Sequence, residues 1–145
     1  MSDTEVGAVS EATPDVLEVM TRLIPQLSAS ASVPTLEDLA RIISSPAVTL
    51  LVARTDGVVT GVLTLVIFPV PTGVRAMIED VVVDERSRGE GIAELLAREA
   101  LARAKAAGAR TVDLTSRPSR ETANRLYHRL GFERRETNAY RLSLG

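Results

Sequence analysis

The segment Val81-Val82-Val83-Asp84-Glu85-Arg86-Ser87-Arg88-Gly89-Glu90-Gly91-Ile92-Ala93 passes from three consecutive valines, through a short polar turn, into a helical pattern. Three β-branched residues in a row read as a buried strand, and Gly89 to Ala107 reads as a helix closed by Gly108. The first turn of a helix carries backbone N–H groups with no intrahelical partner, and its dipole favours negative charge. Glycines at such a junction let phosphate oxygens approach the backbone closely. With Arg86 and Arg88 beside Gly89 and Gly91, the chemistry suits a pyrophosphate. A strand-to-helix turn with ordinary capping glycines would use the same residue types, so the turn alone does not identify a ligand.

Known phosphate-binding patterns narrow the reading. A P-loop needs Gly-Lys-Ser/Thr after its second glycine, and this turn has none. A dinucleotide fingerprint needs Gly or Ala where Glu94 stands, and too little chain follows to complete that fold. The pattern Arg/Gln-x-x-Gly-x-Gly/Ala does fit, through Arg88, Gly91 and Ala93.

Downstream, Thr111 to Thr115 reads as a short strand. A helix follows, capped by Ser119, running to Leu130 and stopped by Gly131. Asn124 and Tyr127 are three apart and share one helix face. An amide can bond to an extended polar ligand, and a phenol can protonate a leaving group. The same two residues also suit a plain helix, with Tyr127 packed beside Leu126 and Leu130. Beyond Gly131, Phe132 to Arg135 and Asn138 to Leu142 read as a final pair of strands.

Upstream, Val6 to Val9 reads as a first strand. Thr13-Pro14 opens a helix whose Val16, Val19, Met20, Leu23 and Leu27 repeat at helical spacing. Leu27 to Pro34 is a Ser/Ala-rich loop. Thr35-Leu36-Glu37-Asp38 resembles a capping box for a second helix. Val48 to Arg54 and Val58 to Phe68 flank Thr55-Asp56-Gly57, a hairpin signal. Pro69 to Gly73 turns the chain into the strand Val74 to Val83. The expected fold is therefore α/β in the α+β sense, a mixed sheet of six to seven strands flanked by about four helices.

Composition bounds the function. At 145 residues, 45% apolar and 25% charged, the chain suits one globular domain over residues 1–145. It has no cysteine and one histidine, His128, which excludes disulfides, thiolate nucleophiles and multi-histidine metal sites. No metal is expected. The most apolar stretch, Val58 to Val70, is too short to span a bilayer, and no export signal opens the sequence. A cytoplasmic protein without membrane contact is the expectation. Residues 1–72 carry 3 arginines against 8 acids, and residues 73–145 carry 13 arginines and Lys105 against 11 acids. That basic half suits a polyanionic ligand or simply a solvated, arginine-rich surface. Nucleic acid is disfavoured by a pI near 5.5 and the scarcity of aromatics for base stacking.

Together, the strand, the Arg88-to-Ala93 turn, its helix, the next strand, the Asn124/Tyr127 helix and Gly131-Phe132 resemble the GNAT superfamily of acyl-CoA-dependent N-acetyltransferases. The match runs from Met77 to Leu142. The resemblance implies a single acetyltransferase domain, splayed between the strand ending at Val83 and that at Thr111 to Thr115, with acetyl-CoA as cosubstrate. It implies that Val81, Val82 and Val83 offer backbone hydrogen bonds to pantetheine and the thioester. Backbone amides of Gly89, Glu90, Gly91, Ile92 and Ala93 would hold the pyrophosphate beside Arg88, and Asn124 would contact the pantetheine arm. Tyr127 would protonate the departing thiolate.

A neutral primary amine would attack the thioester directly in a ternary complex. Its proton would go to Glu79 or Asp80, directly or through water. Strand alternation sets those two carboxylates on opposite faces. Glu79 is the preferred base. The acceptor, a small molecule or a lysine or N-terminal amine, carries no readable motif. The resemblance also implies a homodimer through the C-terminal strands. The competing reading is a CoA-sensing or protein-binding module that keeps the fold without turnover.

Overall fold

The computed structural model describes residues 3–145, which form two compact units, one ending at Thr115 and one spanning Ser116–Gly145. In chain order the elements are β1 (Thr4–Ala8), α1 (Pro14–Leu27), α2 (Leu36–Ser44), β2 (Val48–Thr55), β3 (Val58–Val70), β4 (Gly73–Val83), a single 3₁₀ turn (Glu85–Ser87), α3 (Ile92–Ala106), β5 (Thr111–Asp113) and α4 (Glu121–Arg129). Only α4 lies in the second unit.

Local chemistry sets most of these boundaries. The Val16 N–H donates to the Thr13 hydroxyl at the start of α1, and Pro14 takes the first helical position. Thr35 and Asp38 form a reciprocal capping box on α2. Asp56 and Gly57 both adopt left-handed backbone, φ 51° and 84°, the geometry that matches a tight hairpin to the twist of β2 and β3.

The strands lie in the order β1-β2-β3-β4-β5. Neighbours are antiparallel except β4 and β5, which run parallel. Alternation along β2 and β3 buries both faces of the sheet. Leu50, Val52 and Val62 join Val16, Val19, Met20, Leu23 and Leu39 in one core beneath α1 and α2. Their strand neighbours point the other way, toward α3, which buries Ile92, Leu96, Ala97, Ala100 and Ala104. Gly61 makes the close approach possible. A Cβ there would sit 3.0 Å from Ile92 Cγ2, 3.1 Å from Leu96 Cδ1 and 3.3 Å from the Val82 carbonyl oxygen.

Two features mark the end of β4. First, the β3–β4 register slips between Val62, opposite Val82, and Thr64, opposite Glu79. Asp80 and Val81 therefore stand against Leu63 alone, a bulge, and Asp80 takes φ 49°. The extra residue reverses the alternation. Ile78 pairs with Leu65 on the α3 face, whereas Val82 pairs with Val62 on the α1/α2 face. Second, β5 pairs with β4 only over Arg75–Met77. Beyond that point, no strand among the described residues pairs with Ile78–Val83 along that edge.

The architecture departs from the sequence expectation in three places. The sheet has five strands among the described residues, not six to seven, because residues 132–135 and 138–142 form none. Glu133-Arg134-Arg135-Glu136 places charge on both sides of the chain, leaving no apolar face to bury, and Tyr140 and Leu142 are almost fully exposed. The helix expected from Gly89 begins at Ile92, because left-handed Gly91 is its N-cap. Ser119 does not cap α4. It lies within a turn closed by the Arg120 N–H and the Arg117 carbonyl, and Arg120 takes the N-cap position without a side-chain bond.

Candidate active site

The turn after β4 is built in steps. Asp84 ends the strand, with its N–H on the Thr60 carbonyl at 2.8 Å. Its carboxylate accepts from the Arg86 N–H at 3.2 Å, which bends the chain into the 3₁₀ turn. Gly89 and Gly91 then adopt φ 85° and 77°. A Cβ at either would meet nothing within 4 Å, so backbone conformation and not space calls for glycine there.

No side chain caps the start of α3. A helix start without a side-chain cap suits an external acceptor. Gly89, Glu90 and Gly91 are exposed, as is Arg88, and Ala93 is half-buried; Ile92 buries its side chain in the core and offers only its backbone. An uncapped N-terminus with two left-handed glycines and an adjacent guanidinium fits a pyrophosphate group. Residues 88–93, expected from the sequence to hold a pyrophosphate, lie together in one turn within one unit of the fold.

The valines divide their roles. Val82 buries its side chain in the core under α1, while Val81 and Val83 are half-buried. What these residues offer a ligand is backbone, along the edge that β5 leaves. The expectation that Glu79 and Asp80 alternate across the sheet is corrected by the bulge. Glu79, opposite Thr64, lies on the α1/α2 side, and left-handed Asp80 falls outside regular alternation. Both are exposed, and among the described residues neither makes an ion pair. Nothing local in the sequence marks the bulge, since it is defined by the register against β3.

In the second unit, Asn124 and Tyr127 sit on α4 as the spacing requires. The Asn124 side-chain amide donates to the Arg117 carbonyl at 2.9 Å, so one of its two N–H groups secures the loop before the helix. Tyr127 packs edge-on against Phe132, with ring centroids 5.8 Å apart and planes at 69°. The Phe132 N–H donates to the Tyr127 carbonyl at 2.9 Å, which fixes the two rings together. Burial pushes the Tyr127 phenol above its ordinary value of 10.0, against an opposing pull from the Arg120 charge. The phenol is therefore protonated at neutral pH. His128 is exposed.

Sequence reasoning missed one cluster. Arg22 and Gln26, four apart on α1, both reach the end of β4. The Arg22 guanidinium bonds the Asp84 carboxylate and donates to the Val59 carbonyl at 3.1 Å. The Gln26 side-chain oxygen accepts from the Glu85 N–H at 2.8 Å. Asp84 is only 4% exposed. Burial pushes its carboxyl up, but the Arg86 amide, the Arg86 and Arg22 charges and the Gln26 side chain together hold it below 3.8. Glu18, Arg22 and Gln26, a polar line at helical spacing beside the apolar stripe of α1, were the available signal.

Among the described residues, no group of three or more His, Asp or Glu side chains is arranged to hold a metal ion. No helix among them is long and apolar enough to cross a membrane.

This chain belongs to the GNAT acetyltransferase family, whose model matches residues 16–132. A putative acetyltransferase from Agrobacterium tumefaciens is 26% identical, with a TM-score of 0.83 over 96% of this chain and 99% of that one. Two structures below that identity share the fold. An aminoglycoside acetyltransferase from an uncultured soil metagenomic sample, solved with sisomicin, is 16% identical, with a TM-score of 0.84 over 98% and 97% of the two chains. Aminoglycoside N-acetyltransferase AAC(6')-Iy in complex with CoA is 20% identical, with a TM-score of 0.81 over 100% and 97%. No curated protein sequence matches the chain.

Proposed function

We propose that the protein transfers an acetyl group from acetyl-CoA to a primary amine by direct attack within a ternary complex. The observation that carries this reading is the end of β4–β5 pairing at Met77, which leaves Ile78–Val83 to run on through the 3₁₀ turn to the uncapped turn of residues 88–93. A slot of that kind exposes strand backbone to an extended arm and ends at an anion-binding helix start.

Acetyl-CoA supplies an activated thioester carbonyl. In this reading the backbone of Val81 to Val83 aligns the arm, and an N–H beside the bulge faces the carbonyl oxygen as negative charge develops. Backbone amides of Gly89 to Ala93 and the Arg88 guanidinium hold the pyrophosphate. Asn124 contacts the arm through its carbonyl oxygen or the second N–H of its amide, one N–H being engaged with Arg117. Glu79 takes the proton that the attacking ammonium must lose, with Asp80 as the alternative base. The amine nitrogen bonds the carbonyl carbon, the carbon–sulfur bond breaks, and Tyr127 gives its proton to the thiolate; the nitrogen sheds its second proton to solvent as the amide forms, and solvent returns a proton to the Tyr127 phenolate. Glu79 and Asp80, exposed and without ion-pair partners, also favour a cationic acceptor.

The test is thermal unfolding with acetyl-CoA, CoA, NAD and ATP in parallel, followed by thiol release across an amine panel. A ligand that binds only the folded state raises the melting temperature by mass action. Stabilisation by acetyl-CoA and CoA but not NAD, with amine-dependent thiol release, supports the transferase. The same stabilisation without any turnover points to a CoA-sensing module. No response to either removes the cofactor assignment.

A further inference from the structure

None of Arg22, Asp84 and Gln26 is itself assigned to substrate, yet together they hold the base of the turn of residues 88–93. Three points on the chain are tied to one face of α1. The Val59 carbonyl and the Asp84 carboxylate are bound by the two arms of the Arg22 guanidinium, and the Glu85 N–H is bound by Gln26. Glu18, one turn before Arg22, lies 3.8 Å from Arg22 Nε, and the Arg86 guanidinium lies 3.6 Å from Asp84 Oδ2. Four residues separate Asp84 from Gly89. The Arg86 N–H, the first link of the 3₁₀ turn between them, is fixed by the same carboxylate.

Anchoring of this kind has a physical purpose. The glycine turn beyond it has no side-chain cap, so little inside it selects one conformation. A ligand that must order such a turn spends binding energy on it, and preorganisation removes that cost. Planar Arg22 binds a carboxylate and a carbonyl at once, a task a single ammonium group does not reproduce. We infer that Arg22, Gln26 and Asp84 are positioning residues that preorganise the turn of residues 88–93 for the pyrophosphate of CoA. The inference rests on the proposed assignment of that turn to the pyrophosphate.

Calorimetric titration of CoA into the full chain tests it, at a temperature where circular dichroism shows every variant folded. The variants are Arg22→Met, Arg22→Lys and the milder Gln26→Leu. S-acetylpantetheine, which lacks the pyrophosphate, serves as the second probe, its binding followed by amide chemical shifts. Arg22→Met should raise the Kd for CoA about tenfold or more, the scale expected when a binding group is displaced by a fraction of an ångström. Gln26→Leu should raise it about threefold, Arg22→Lys should recover part of the loss, and S-acetylpantetheine binding should stay unchanged. A CoA Kd within twofold of wild type in folded Arg22→Met and Gln26→Leu overturns the inference. Equal weakening of both probes also overturns it, since that is what general loosening of the fold would produce. A wild-type protein that binds S-acetylpantetheine but gains nothing from the pyrophosphate of CoA overturns the assignment of the turn itself, and the inference with it.

Discussion

Arg22 and Asp84 stand 62 positions apart in the chain, and their side chains form an ion pair where β4 ends. The carboxylate is buried and the guanidinium about a quarter exposed. Removing one member of such a pair leaves the other without compensation. Asp84→Asn should therefore lower the unfolding free energy by about 3 kcal/mol, read from urea denaturation at pH 7. The pair also makes an acid-limb prediction. Because the folded state holds the Asp84 carboxyl below 3.8, its contribution is complete above that value and is lost as pH falls from there through the lower, folded one. Wild-type stability should fall more steeply with acid than that of Asp84→Asn. Parallel curves would show that the pair does not govern this limb.

Gly61→Ala tests how closely α3 approaches the sheet. The added methyl meets Ile92 Cγ2 at 3.0 Å and the Val82 carbonyl at 3.3 Å, and backbone cannot yield as a side chain can. A loss of about 1–3 kcal/mol is expected from overpacking, with weaker CoA binding as Ile92 and the start of α3 are pushed outward. Denaturation and calorimetry on the same sample check both effects.

Gly91→Asp combines strain with charge. A non-glycine residue at φ 77° costs about 1–2 kcal/mol, and its carboxylate would stand at the helix start where an anion is to bind. The rise in melting temperature with acetyl-CoA should disappear while the fold persists at lower temperature. Retention of the full shift would place the cofactor elsewhere.

Tyr127→Phe keeps the ring contact with Phe132 and removes only the hydroxyl. The turnover rate should fall by about 10²-fold or more, with little change in the KM for acetyl-CoA. Burial raises the phenol pKa above 10.0, so the protonated donor persists to higher pH than for an exposed tyrosine. The wild-type rate should hold past pH 10 before any loss from phenol ionisation, provided the protein remains folded there.

Glu79→Gln should lower turnover and change the pH–rate profile without weakening acetyl-CoA binding. An unchanged profile would remove Glu79 from the mechanism. Asp80 can be separated from it by conformation. Asp80→Asn retains a residue type that tolerates φ 49°, whereas Asp80→Val should cost about 1–2 kcal/mol through strain at the bulge.

The sequence by itself determined what depends on near neighbours. The caps at Thr13 and Thr35, the Asp56-Gly57 hairpin, the apolar stripe of α1, the shared face of Asn124 and Tyr127 and the Arg88-to-Ala93 turn all arise from residues a few positions apart, where backbone geometry is local. Tertiary structure alone decided what depends on distant partners. Residues 132–142 have strand-like composition in part, but a strand exists only where another presents its hydrogen bonds, and none does so among the described residues. The bulge at Asp80 arises from register against β3, so the alternation expected for Glu79 and Asp80 failed where two residues face a single partner. The hold of Arg22 on Asp84 required α1 to be folded onto the end of β4, because a charge pair is defined by separation in space and not along the chain.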